Sequence, residues 1–366
     1  MPKTGWPSAA LTDLIGTELP IIQAPIAGAQ GADLAIAVAQ AGGLGSLPCA
    51  MLGEDDIRAG DRTIRKATNR PFNLNFFCHK PPKRDAAREA AWAEKLAPYM
   101  AELGVEPPKE TGGGRAPFDE AVCALVEEIR PKVVSFHFGL PEPGLFQRVK
   151  ATGAVVLSSA TTAAEARHLA NAGVDAVIAQ GVEAGGHRGM FLSTDMTDQV
   201  GTMALVPQIV DAVDIPVIAA GGIADGRGVA AAMALGAAGA QIGTAYLLTP
   251  QATISDLYRD ALKRSNDGDT ALTNVFTGRL ARGLKNRIVR ELGPIAPDAP
   301  AFPLAAVPLT PLRKAAEARG ADDFTPLWSG QAGAMAREID AGELTRQIAE
   351  EALERLGALA KGAPAP

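Results

Sequence analysis

Residues 180–191 read QGVEAGGHRGMF and set His187, one of four histidines in the chain, among Gly185, Gly186 and Gly189. An imidazole titrates near neutrality, so it can take a proton from a carbon acid or donate one to a developing anion. Glycine inside an element costs about 0.5–1 kcal/mol relative to alanine. Three of them around one acid–base group mark either a loop tip without a role or a place where something planar must approach the main chain. Other polar groups close apolar runs. IPVIAAGG (215–222) ends in Gly221 and Gly222, and AQIGTA (240–245) carries Gln241, Ile242, Gly243 and Thr244. Backbone N–H groups at such glycines can reach an anion with no Cβ in the way, a threonine hydroxyl can donate too, and a helix N-terminus adds a favourable dipole. Together these predict a phosphate site. Asn75 and Gln180 interrupt apolar runs, and an unpartnered amide is costly to bury. Each offers a donor and an acceptor, to backbone or to the edge of a ring system. Pro25 and Ile26, shortly before Gly28, either lay main chain against a flat ligand or simply end a strand.

Several chemistries are disfavoured. His79, His137, His168 and His187 fall on different segments without HxH or HExxH spacing, so no metal site is expected. His137 suits a core position and a substrate contact equally, whereas His79 and His168 read as structural. No serine occupies a GxSxG elbow. Cys49, Cys78 and Cys123 lack CxxC spacing and read as small buried hydrophobes. The net charge of −6 gives no electrostatic footprint for nucleic acid. The apolar runs are broken by Gly, Pro, Asp or Gln, and no charged leader precedes an apolar stretch, so the expectation is a soluble cytoplasmic protein with no membrane partner.

The elements that must position these groups are short, near-continuously apolar strands: 20–26, 43–48, 72–77, 133–138, 154–159, 176–181, 215–222 and 240–245. That pattern belongs to parallel strands covered on both faces. Alanine-rich amphipathic segments such as 31–43, 161–173 and 225–239 lie between them. Eight β-then-α units in this length favour a (β/α)8 TIM barrel, an α/β fold, over an open doubly wound sheet. The barrel is expected over 1–77 and 133–250, with an insertion at 78–132 after the third strand. A mainly helical extension, 251–366, would form a lid near the barrel mouth. In such a barrel the site lies at the C-terminal strand ends, where His187, Gln180, Gly222 and Thr244 all fall. The physical reading is a phosphorylated planar cofactor with His187 beside its reactive part.

Three segments, VIAQGVEAGGHRGMF, QVGTMALVPQIVDAVDIPVIAAGGIADGRG and ALGAAGAQIGTAYLL, closely resemble the bacterial nitronate monooxygenases, formerly called 2-nitropropane dioxygenases. The similarity extends to PIIQAPIAGAQGADLAIAVAQAGGLGSL, NLNFFCHK, VVSFHFGLP, LTNVFTGRLARGLKN and LWSGQ, nearly the whole chain. The resemblance implies an FMN-containing barrel that oxidises alkyl nitronates, propionate 3-nitronate above all, with O2. The products would be oxo compounds and nitrite. It puts the catalytic histidine at His187 and FMN contacts at Asn75, Gln180, Gly185, Gly222, Gln241, Ile242, Gly243 and Thr244, with Pro25, Ile26 and Gly221 as additions. His137 is the candidate substrate contact, and a homodimer is compatible with this reading. Some members line the substrate pocket with several tyrosines, whereas this chain has Tyr99, Tyr246 and Tyr258. The main rival is an FMN-dependent enoyl-acyl carrier protein reductase fed by NADH, which shares the EAGGH and AAGGIADG patterns. A related NADH:quinone reductase and a non-catalytic flavin- or phosphate-binding barrel are the others.

Overall fold

Runs of Val, Ile and Ala with no polar face cannot be left half in water, so they must be covered on both sides. The computed structural model, which describes residues 5–108 and 115–361, covers them in this way. Its strands, in chain order, are β1 (Ile21–Gln23), β2 (Gly45–Pro48), β3 (Phe72–Phe77), β4 (Val133–His137), β5 (Val155–Ala160), β6 (Ala176–Gln180), β7 (Gly186–His187), β8 (Val217–Ala220), β9 (Gly239–Ile242), β10 (Thr270–Thr273) and β11 (Ala281–Leu284). Eight of them form one parallel sheet in the order β1-β9-β8-β6-β5-β4-β3-β2. A parallel bridge from Ile22 to Leu44 joins β1 to β2 and closes the ring. The fold is the expected TIM barrel, and its eight strands coincide with the eight apolar runs of the sequence.

Side-chain parity along the strands divides the core. Val155, Leu157, Ala176, Ile178, Ile218 and Ala220 point into the barrel, where Leu11 and Ile15 of helix Ala10–Ile15 join them in one apolar cluster. The alternate residues along the same strands, Val156, Val177, Ala179, Val217 and Ala219, pack against the surrounding helices. Helix ends follow from local chemistry. Thr162 accepts a hydrogen bond from Glu165 N at the start of helix Ala163–Ala172, and Gly173, in the left-handed region at φ 96°, ends it.

The two stretches outside the repeat are each shared between bodies. Helix Glu120–Ile129 puts Cys123, Leu125 and Val126 into the barrel's outer core. Helix Ala341–Ala360 packs on helices Gly226–Ala234 and Ala32–Gln40, and so fills the helical layer after the last barrel strand. What remains between, helix Ala86–Leu103 and much of 275–324, builds a second core of its own around Trp92, Leu96, Phe276, Ile288, Leu312 and Phe324. Beside it β10, β11 and β7 form a small antiparallel sheet. The loop after β6 is therefore half strand: His187 is in register with Ala281, and Gly186 with Arg282. No helix among the described residues is long and apolar enough to cross a membrane. The three cysteines are free, with Cys49 and Cys123 buried and Cys78 half-buried.

Candidate active site

Strand parity also builds the site. Asn75 and Phe77 of β3, His137 of β4, Gln180 of β6 and Gln241 of β9 are inward positions near the strand ends, and all five line one cavity at the C-terminal mouth of the barrel. The cavity encloses about 1220 Å³, including its opening to solvent. Pro25, Ile26, Gly185, His187, Gly221, Gly222, Gly243 and Thr244 line it as well. Ile242 does not: it has the outward parity of Ala240, and its side chain is buried in the helix-facing core. The expectation for Ile242 is corrected to that extent, leaving only its main chain near the site. None of the three tyrosines lines the cavity. Tyr246 is buried against Thr345, Tyr99 belongs to the second core, and the Tyr258 hydroxyl donates to Trp328 O.

His187 is held from several directions. Its carbonyl accepts from Gln180 Nε2 at 3.0 Å and from His137 Nε2 at 3.1 Å, and Gly189 N donates to Gln180 Oε1 at 2.7 Å. Arg188, fully buried, donates to the carbonyls of Gly181 and Gln180 and to Gln199 Oε1. Buried Glu165 accepts from Phe191 N and Leu192 N at 2.5 and 3.1 Å. Gln180 thus spends its amide on the His187 loop. His137 spends both nitrogens on the protein, since Ser159 Oγ lies 2.6 Å from its Nδ1. Any substrate contact by His137 is left to the ring. The ring of His187 itself sits between Phe302 (5.2 Å between centroids) and Trp328 (5.3 Å), and its Nε2 is 2.9 Å from Thr277 Oγ1.

The glycines have a different explanation from ligand approach alone. A Cβ on Gly185 would come within 2.5 Å of Gly330 N, and one on Gly189 within 2.7 Å of Ser159 Oγ. Those two positions are reserved for the protein's own close packing. Gly186, at φ 72°, is open to space and is needed for its left-handed backbone. Gly243 is different again: its φ is −112°, and a Cβ there would meet only Ala24 Cβ, at 3.4 Å. Space for a ligand therefore begins at Gly243, beside Thr244, whose Oγ1 accepts from Gly330 N at 2.9 Å and keeps its own proton to donate.

Two cavity-lining residues each have a buried atom with no hydrogen-bond partner among the described residues, Gln241 Oε1 and Arg115 Nε. Arg115 lies over the Phe302 ring at 5.8 Å and forms no ion pair among the described residues. Burial first, then the positive charges of Arg115 and its neighbours, holds His187 well below the ordinary imidazole range. Burial likewise pushes His137 down to about 3 and His79 to about 4. Because these folded-state values lie below about 6.5 in the unfolded chain, the unfolded state binds more protons as the pH drops. Stability contributed by the neutral rings is then full above pH 6.5 and lost progressively toward pH 3–4. The melting temperature should fall already between pH 6.5 and 5, before most carboxylates titrate, and His137→Gln should flatten that part of the curve. A wild-type melting temperature constant over this interval would contradict the assignment.

Sequence reasoning assigned no role to Thr277, Arg115, Phe302, Glu165, Trp328 or Arg188, although each lies in a segment singled out there. Among the described residues, no three His, Cys, Asp or Glu side chains gather as metal ligands.

Comparison with known proteins gives the family. The family model described as nitronate monooxygenase matches residues 8–351. A nitronate monooxygenase of Pseudomonas aeruginosa is 45% identical over 93% of this chain and 98% of its own length, and one of Paraburkholderia phytofirmans is 43% identical over 93% and 94%. The crystal structure of nitroalkane oxidase from Streptomyces ansochromogenes superposes with a TM-score of 0.87 at 42% identity, covering 96% of this chain and 99% of that one. FabK from Thermotoga maritima superposes at 0.70 with 28% identity, over 96% and 98%. With a family model spanning the barrel, the His187 loop and the second core alike, this chain belongs to the nitronate monooxygenase family.

Proposed function

We propose that this protein binds FMN at the barrel mouth and uses it to oxidise alkyl nitronates, such as propionate 3-nitronate, and neutral nitroalkanes with O2, to oxo compounds and nitrite. The observation that carries this reading is the pairing, in one cavity, of an imidazole kept neutral with a half-buried guanidinium that forms no ion pair among the described residues. A neutral base can take an α-proton from a nitroalkane, and a cationic wall favours the nitronate anion that results. The residues present also fit a flavin. Gly222, Gly243 and Thr244 offer main chain and a hydroxyl to a phosphate, and the orphaned Gln241 Oε1 needs an N–H or O–H donor that a flavin or its ribityl chain would bring. FMN, when bound, supplies the acceptor for the electrons of the nitronate and the means of passing them to oxygen.

The chain's own part is to bind, orient and move one proton. His187 breaks the substrate C–H bond, the proton passes to the ring, and the electron pair spreads onto the nitro group as the nitronate. Phe302 and Trp328 exclude water around that ring. For a substrate already ionised the proton step is unnecessary, and His187 serves only as a neighbour of the anion.

A second reading, an NADH-fed FMN reductase, is favoured by the likeness to FabK. The two part on their reductant. Purified protein with its flavin, kept anaerobic, should lose its visible absorbance when propionate 3-nitronate is added and keep it with NADH. Rapid bleaching by NADH and none by the nitronate would overturn the proposal in favour of the reductase.

A further inference from the structure

We propose that Thr277 fixes the ring tautomer of His187, holding the proton on Nε2 and leaving Nδ1 as the basic nitrogen that faces the cavity. The consequence for catalysis rests on the function proposed above; the tautomer does not. Thr277 comes from the turn between β10 and β11, 90 residues beyond His187, and is buried. Its backbone is pinned by its neighbour: Gly278, at φ 83°, donates to Asn274 O at 2.7 Å, and a Cβ on it would collide with Pro300 O.

Counting donors decides where the proton sits. Thr277 Oγ1 lies 2.9 Å from His187 Nε2 and 3.3 Å from Arg279 O. A carbonyl only accepts, and a hydroxyl has one hydrogen to give. If that hydrogen goes to Arg279 O, Nε2 must donate to Oγ1, and both bonds form as a polarised chain from imidazole to hydroxyl to carbonyl. If it goes to Nε2 instead, the carbonyl loses this donor and one bond replaces two. The first arrangement wins. Among the described residues no hydrogen-bond partner meets Nδ1, while the residue lines the cavity. His137 shows the same logic beside it: its Nε2 meets the carbonyl of His187 and must carry the proton, so its Nδ1 accepts from Ser159.

Thr277 is thus a positioning residue, acting on substrate through His187. When Nδ1 takes the α-proton, the ring becomes cationic close to Arg115, which lines the cavity, and under the field of Arg279. The Nε2–H bond to Thr277 then strengthens and offsets part of that cost.

The test uses the flavin-loaded full chain labelled with 15N-histidine. Long-range 1H–15N spectra at pH 7.5 show which ring nitrogen is bare, and His187→Asn identifies the signals. The expected result is a bare Nδ1 in the wild type and in Thr277→Ser, and a mixture in Thr277→Val. Thr277→Ala serves if the valine variant does not fold. In parallel, kcat/KM on a neutral nitroalkane should fall about 10- to 100-fold in Thr277→Val, the range for an outer partner of a functional histidine, and recover in Thr277→Ser. The constants for a preformed nitronate should barely change. A bare Nε2 in the wild type, or a tautomer indifferent to removal of the hydroxyl, overturns the proposal. Thr277-dependent tautomer in a protein that turns over no nitro compound would support it and refute the function instead.

Discussion

Replacing His187 with Asn is expected to lower kcat/KM on neutral nitroalkanes about 100- to 10,000-fold, the span associated with a positioned general base. Turnover of preformed nitronates should be largely spared. Asparagine keeps a polar amide of similar reach but has no lone pair that can hold a proton at neutral pH. The split arises because an ionised substrate needs no base. Flavin content should be unchanged, since the loop is held by backbone and by Gln180, Arg188 and Glu165 rather than by the ring. The wild-type pH profile carries a linked signature. Because burial and the adjacent positive charges lower the His187 pKa, the base is already free at pH 6.5. Activity on the neutral substrate should stay level above that pH and decline only as the pH falls toward the lowered value. Full activity of His187→Asn on a neutral nitroalkane would remove the base from the mechanism.

Gly243→Val is expected to abolish retention of FMN while leaving the fold intact. At φ −112° this residue has no conformational need to be glycine, and an added Cβ meets only Ala24. A branched side chain would project into the proposed phosphate cradle beside Thr244. The Kd for FMN should rise by at least about 100-fold, or roughly 2.7 kcal/mol, with circular dichroism and melting of the apoprotein unchanged. Gly222 is a poorer site for the same experiment. It sits at φ 72°, where any L-residue is strained by about 1–2 kcal/mol, so flavin loss there would mix a blocked cradle with a disturbed loop. A Gly243→Val protein that stays yellow and binds FMN as tightly as wild type would show that the phosphate lies elsewhere.

Why the glycine-rich loop reads as it does illustrates how local signals mislead. Gly185, Gly186 and Gly189 suggest a permissive segment waiting for a ligand. In the fold the loop is held by Gln180, Arg188 and Glu165, and two of the glycines exist so that Gly330 and Ser159 can approach. Asn75 and Gln180 were candidates for a ring edge. Gln180 is consumed by the loop, and Asn75 Nδ2 by Ser135, in a buried polar network that runs through Ser46 to Gln23. Gln241, the residue whose acceptor is left over, was marked in the sequence by its place in AQIGTA and by the family resemblance.

The sequence by itself determined the barrel, the eight strands, the parity that puts Asn75, His137, Gln180 and Gln241 at one mouth, and the place of His187 at a strand end. These follow from the near-continuous apolar runs, whose side chains must alternate faces once each run is a strand, and from the rule that parallel strands deliver their C-terminal ends to one face. Only the tertiary structure decided what surrounds His187. Thr277, Phe302 and Trp328 lie about 90 to 140 residues away in sequence, and Arg115 more than 70 before it. Thr277, Phe302 and Trp328 meet the ring, and Arg115 lies over Phe302, because β7 pairs with β11 and because helix Ala86–Leu103 and the 275–324 region share a core. Such contacts depend on how separate apolar faces find one another. No local periodicity encodes that pairing, since each face is satisfied only by a partner distant along the chain.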